Sequence, residues 1–241
     1  MSGGGSDVSG GGSDVSGGAS GDGSDLSGLP AWWEPLRSRV EAVDAASFAP
    51  QPTAGRGARS SAVLILFGEE PGKGPDVLLM QRAATLRNHA DQAAFPGGAT
   101  EPGDADAVAT ALREAREEVG LDASSVQVVS VLPTLWISVS NFLVTPVLAW
   151  WRSPHPVAPA DLAECARVVR LPVDELVDPQ NRLRVRHPSG WIGPAFRVQG
   201  MLVWGFTAGV LSTLLEMGGW AKPWPTGRVE EMPAAGSTPV P

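Results

Sequence analysis

The chain predicts an α+β fold in which a mixed β-sheet is packed by helices. Three observations carry this reading. Apolar runs of strand length recur from residue 61 to residue 200, a strongly amphipathic helical segment interrupts them near residues 106–119, and an uncharged helical segment closes the series at 205–217. Strands interleaved with few helices argue for a sheet covered by helices.

In chain order, "AWWEPLRSRVEAVDAASF" predicts a helix from about Trp33 to Ala46, ended by the Pro- and Gly-rich "APQPTAGRGARS". "SAVLILF" (61–67) and "DVLLMQR" (76–82) are strands joined by the turn-rich "GEEPGKGP". A loop and a helix follow within 95–122. Further strands are expected at 126–132, 142–151, 166–172, 182–187 and 195–200, with "VDELVD" as a short helix. "MLVWGFTAGVLSTLL" (201–215) carries no charge, but it falls short of the roughly 20 residues that span a bilayer, and Glu216 closes it. It predicts a buried strand end and a core helix over 205–217, with no membrane partner.

The 241 residues suit one substantial domain with tails. Residues 1–30 repeat "SGGGSDV" and then loosen it, with Val8, Val15, Leu26 and Leu29 as the large apolar side chains. Such a segment cannot offset its ordering entropy and predicts a disordered tail. Residues 225–241 predict a second, flexible tail, leaving 31–224 as the domain. The formal charge of −8 falls to −3 for that domain once the tail charges are removed, which gives no electrostatic case for nucleic acid. The single cysteine, Cys165, fits a reducing compartment, and the amino terminus has no Lys, Arg or apolar run of a targeting signal. The expectation is a cytoplasmic protein; homodimerisation is left open.

The helix near 106–119 can be capped by Asp104 or Asp106 and stopped by Gly120. Val108, Ala111, Leu112, Ala115 and Val119 share one apolar sector, while Glu114, Glu117 and Glu118 form an acidic one. Like charges at this spacing cost about 0.2–0.5 kcal/mol per pair, and Arg113 is set to pair with Glu117 at i, i+4. A divalent cation would reverse that cost, and oxygen-only ligands on a helix suit Mg²⁺ or Mn²⁺. Taken alone, "REAREE" also suits a solvated charged face; its context decides.

That context is "FPGG" (95–98), whose glycines let backbone approach a ligand closely. Gly97, Gly98, Glu101, Asp104, Arg113, Glu114, Glu117, Glu118, Gly120 and Leu121 together resemble the Nudix box, the signature of Nudix hydrolases. Two departures are an aspartate at 104, with eight residues between it and Arg113 instead of seven, and Ala115 in place of a bulkier aliphatic. Upstream, Leu78, Leu79, Arg82, Ala83, Arg87, Phe95, Pro96, Gly97 and Gly98 resemble the extended signature of the coenzyme A pyrophosphatase branch, with Met80 and Asp91 as mismatches for threonine and glycine. "VWGFTAGVL" (203–211) is similar to that branch's closing helix.

The resemblance implies the α/β/α Nudix fold and hydrolysis of the diphosphate of coenzyme A or its thioesters to 3′,5′-ADP and a 4′-phosphopantetheine species. It implies Glu114, Glu117 and Glu118 as Mg²⁺ or Mn²⁺ ligands, with Glu114 and Glu118 the preferred pair. Glu117 is then a further ligand or the base for water, steered by Arg113. Gly98, beside Gly97, would add a backbone carbonyl, and Arg82 and Arg87 would grip phosphates. Glu164 is an outlying acid, more simply a loop residue; His89, His155 and His187 lack ligand spacing, and Cys165 reads as a buried small side chain. Two other readings are a Nudix enzyme for ADP-ribose or another nucleoside diphosphate derivative, and a non-catalytic nucleotide-sensing module.

Overall fold

A computed structural model of the chain describes residues 28–42, 57–85, 91–138 and 140–232. Arg87, His89, the end of the first predicted helix and most of both predicted tails lie outside them.

Among the described residues, strands β1 (Arg59–Glu70), β2 (Gly74–Arg82), β3 (Ala93–Ala94), β4 (Gly97–Ala99), β5 (Val126–Val131), β6 (Leu135–Ile137), β7 (Phe142–Trp151) and β8 (Cys165–Pro172) form one eight-stranded sheet. β1 runs parallel to β7, from Arg59 opposite Phe142 to Phe67 opposite Trp150, and antiparallel to β2 and β4, so the sheet is mixed. "AVLILF" is a continuous apolar run because β1 is buried on both faces. Ala62, Leu64 and Leu66 meet one layer, while Ile65 and Phe67 meet the other.

The first layer is helix α2 (Ala107–Val119), whose Ala111, Ala115 and Val119 pack with Leu64, Leu66 and Leu78. On the opposite face, α1 (Glu34–Glu41) and α4 (Gly205–Met217) bring Leu36, Val40, Leu211 and Leu214 against Ile65, Phe67 and Leu79. Burying each such leucine contributes about 1.5–3 kcal/mol. The result is the α/β/α layering, with the short α3 (Val173–Val177) following β8. Among the described residues no helix is long and apolar enough to cross a membrane.

A second sheet departs from the single one expected. β9 (Arg182–Arg186), β10 (Ile192–Val198), β11 (Met201–Val203) and β12 (Val229–Glu231) pair in the order β11-β10-β9-β12. The strand expected at 195–200 begins earlier and stops at Val198, because Gln199 (φ +48°) and Gly200 (φ +74°) make a two-residue turn that pairs Val198 with Met201. Positive φ at both turn positions matches the right-handed twist of a tight hairpin. Phe196 and Val198 join the cluster around α4, and Leu183, Val185 and Ala195 close a small cluster of their own. The segment 225–232 also differs from a flexible tail: β12 lies parallel to β9, Arg228 Nη1 donates to the Gln180 carbonyl at 2.8 Å, and Glu230 pairs with Arg197 at 2.6 Å.

Candidate active site

Asp106, rather than Asp104, caps α2: its Oδ1 accepts the Ala109 N–H at 2.8 Å, and Gly120 ends the helix at φ +70°. Asp104 is thereby free for another task. Its two oxygens take Arg113 Nε and Nη2, each at 3.0 Å, and also accept the Glu101 N–H and the Thr110 hydroxyl, both at 2.9 Å. These donors, Arg113 foremost, hold the Asp104 carboxyl well below the usual carboxylate range. A bidentate fork fixes the plane of the guanidinium as well as its position. The eight-residue spacer therefore still delivers the acid to Arg113, as an orienting group.

So fixed, Arg113 donates from Nη1 to Glu114 at 3.0 Å and Glu117 at 3.1 Å, and from Nη2 to the Ala99 carbonyl at 3.0 Å. The i, i+4 pair expected with Glu117 is one part of a wider hub. Glu117 itself is half exposed, at 50 %, while Glu114 is turned inward at 17 %.

Glu114 and Glu118 sit one turn apart beneath β4. A side-chain carbon on Gly98 would overlap the Glu114 carboxylate, and one on Gly97 would collide with the Ala62 carbonyl and Val63. The two glycines thus let backbone lie directly against the acids. The Gly97 N–H donates to Glu118 Oε2 at 2.9 Å. Burial pushes the Glu114 carboxyl up, and pushes Glu118 up to about 7. The charges of Glu114 and Glu164 add to the rise at Glu118, and it is burial that outweighs the opposing Gly97 N–H and Arg82.

Among the described residues no three His, Cys, Asp or Glu side chains converge as a metal cluster: Glu114 is engaged by Arg113, Glu118 by Gly97, and Glu117 faces outward. The donor set nonetheless fits a hard dication. Two part-buried carboxylates stand one helical turn apart, the charge of Glu114 acting on Glu118, and every donor is oxygen.

Beside the glycines a cleft of about 640 Å³ opens between the two sheets, lined by Arg82, Phe95, Gly97 and Gly98 on one side and by Trp191 and Trp204 on the other. Arg82 Nε is buried without a hydrogen-bond partner, and the charge of Arg82 also reaches Glu118. Arg82 therefore stands between the acids and the cleft. Arg87, expected to share its task, lies outside the described residues.

The two upstream mismatches have local explanations. Asp91 adopts φ +60°, the left-handed conformation that a glycine there takes freely and that aspartate tolerates. Its carboxylate accepts from Gln81 Nε2, which ties it to β2. Met80 is 1 % exposed and packs with Leu64 and Ala111 under α2.

Glu164, ranked low from sequence, is near enough for its charge to act on Glu118, because Cys165 pairs with Arg82 across β8 and β2. Cys165 is a buried small side chain as expected, its thiol pushed up by burial and by Glu118. His155 accepts the Asp122 N–H at 3.1 Å and packs edge-on against Trp151, a structural role.

The sequence profile of the NUDIX domain matches residues 57–191, more than half of the chain. The chain belongs to the Nudix family. Its Nudix helix is α2 and its Nudix glycines are those of β4. It is 41 % identical over 169 residues to an uncharacterized Nudix hydrolase, NudL, of Cronobacter sakazakii, covering 65 % of this chain and 81 % of that one. The NudL of Escherichia coli K12 is 38 % identical over the same shares. Among solved structures, the Nudix hydrolase RenU of M. smegmatis aligns with a TM-score of 0.45 and 20 % identity, covering 67 % of this chain and 86 % of that one.

Proposed function

We propose that this Nudix hydrolase cleaves the diphosphate of coenzyme A or its thioesters, releasing 3′,5′-ADP and a 4′-phosphopantetheine species, with Mg²⁺ or Mn²⁺ as cofactor. The observation that carries the reading is the position of Arg82: the arginine of the coenzyme A-type motif, with a buried unpartnered Nε, lines a cleft that begins at Gly97 and Gly98 and adjoins Glu118.

Glu114 and Glu118 would hold the cation, with Glu117 as a further ligand or the base for water. When bound, the cation neutralises phosphate oxygens and lowers the pKa of a bound water. Arg113, fixed by Asp104, keeps Glu114 and Glu117 in place. Arg82 offers paired donors to a phosphate that enters the cleft. The apolar cleft wall excludes water from the part of the substrate it covers.

Arg82→Ala is expected to raise KM for coenzyme A about tenfold or more while leaving the fold intact, since a charge-assisted phosphate contact contributes about 1.5–3 kcal/mol. Steady-state kinetics at saturating Mg²⁺ check this, and an unchanged KM would remove Arg82 from the substrate site.

A further inference from the structure

We propose that the wall of the cleft formed by Trp191, His187 and Trp204 stacks the planar nucleobase of the substrate's nucleotide half. The inference rests on the reading above only in requiring a nucleotide diphosphate substrate. His187 and Trp204 already lie ring on ring, 6.2 Å between centroids and 25° between planes, and both line the cleft. Trp191, on the same hairpin, is 47 % exposed, an unusual cost for the largest apolar side chain in a molecule whose other aromatic rings are mostly buried or packed.

The hairpin that carries the platform is tied at several points, and the Trp191 ring lies against Gly193, where an added side-chain carbon would collide with it. The His187 N–H donates to the Trp191 carbonyl at 2.8 Å, the Gly190 N–H to the His187 carbonyl at 2.8 Å, and Ser189 bonds His187 Nδ1 through both its N–H (3.1 Å) and its hydroxyl (2.8 Å). Behind the hairpin, the Met232 N–H donates to the Arg186 carbonyl at 2.9 Å, so β12 braces β9 immediately before the wall. Pre-ordered aromatic planes at the end of a braced hairpin suit a flat ring system, because stacking then costs little further side-chain entropy. The opposite wall carries Arg82 and the Nudix glycines. One nucleotide can therefore present phosphate to Arg82 and base to the aromatic wall in a single cleft.

The test is calorimetric titration of the full chain with adenosine 5′-monophosphate and, separately, ribose 5-phosphate, which share the phosphate and differ in the base. Adenosine 5′-monophosphate is the nucleotide part common to coenzyme A and ADP-ribose, so the outcome is independent of which diphosphate is hydrolysed. Wild type is expected to bind it roughly tenfold more tightly than ribose 5-phosphate, the range of base stacking on an aromatic side chain. Trp191→Ala is expected to erase most of that difference, and Trp191→Phe to retain it. Equal affinities for the two ligands in wild type would overturn the proposal without any variant, as would a folded Trp191→Ala that keeps the full preference. Loss of coenzyme A hydrolysis specificity with the base preference intact would instead count against the coenzyme A reading alone.

Discussion

Glu118→Gln is expected to lower metal-dependent hydrolysis about 10³-fold while the protein stays folded, because a ligand that helps stabilise transition-state charge accounts for several kcal/mol at about 1.4 kcal/mol per tenfold. The amide keeps an oxygen that can accept the Gly97 N–H, so the wedge between β4 and α2 survives. The same substitution has a second, opposite signature in the metal-free protein. Burial pushes the native carboxyl up to about 7, against an ordinary value of 4.5, so between these pH values the folded state binds more protons than the unfolded one. Stability of the metal-free wild type must therefore fall as pH rises through that window, by on the order of 3 kcal/mol. Below about 4.5 both states are protonated, and above about 7 the whole penalty is in force. Glu118→Gln removes the penalty, so its metal-free thermal midpoint is expected to lie above that of wild type at pH 8 and near it at pH 4.5. Turnover near the wild-type rate, or a wild-type midpoint that rises from pH 5 to pH 8 relative to the variant, would contradict the role given to this carboxylate.

Arg113→Ala is expected to lower activity about 10- to 100-fold, the usual effect of deleting the partner that orients ligating groups. It releases Glu114 and Glu117 together and leaves Asp104 with the Glu101 N–H and the Thr110 hydroxyl alone. Lysine at 113 should recover little, since it restores the charge without the fork that Asp104 grips. If Asp104 acts only by holding Arg113, adding Asp104→Asn to Arg113→Ala should cost little more than Arg113→Ala alone, whereas independent roles would give additive losses. Hydrolysis measured across a Mg²⁺ titration for the two single variants and the double variant separates these outcomes.

Much of this site is legible in the sequence because its determinants are local. The helical period, a cap at Asp104 or Asp106 and a stop at Gly120 fix α2, and with it the order of Glu114, Glu117 and Glu118. The long strands β1 and β7 are equally plain, being buried on both faces over many residues. What escaped depends on which side chains meet in three dimensions. The division of labour between Asp104 and Asp106 is set by where Arg113 and Thr110 stand, and either aspartate satisfies the capping rule on paper. Glu164 gains its influence from the pairing of Cys165 with Arg82, which no spacing announces. The second sheet was hidden by short strands, yet Gln199-Gly200 between two apolar stretches carried a turn signal that ends the strand expected at 195–200 at Val198 and starts another at Met201. The inward turn of Glu114 and outward turn of Glu117 follow from the close approach of Gly98, and a helical projection alone puts both in one sector.

The most direct test of the account is product analysis after incubating the full chain with Mg²⁺ or Mn²⁺ and, in separate reactions, coenzyme A, ADP-ribose and NADH. The account predicts 3′,5′-ADP and 4′-phosphopantetheine from coenzyme A as the chief products, lost when the cation is chelated. Cleavage of ADP-ribose or NADH in preference to coenzyme A would contradict the substrate while keeping the Nudix chemistry, and no cleavage of any of the three would contradict catalysis by this site.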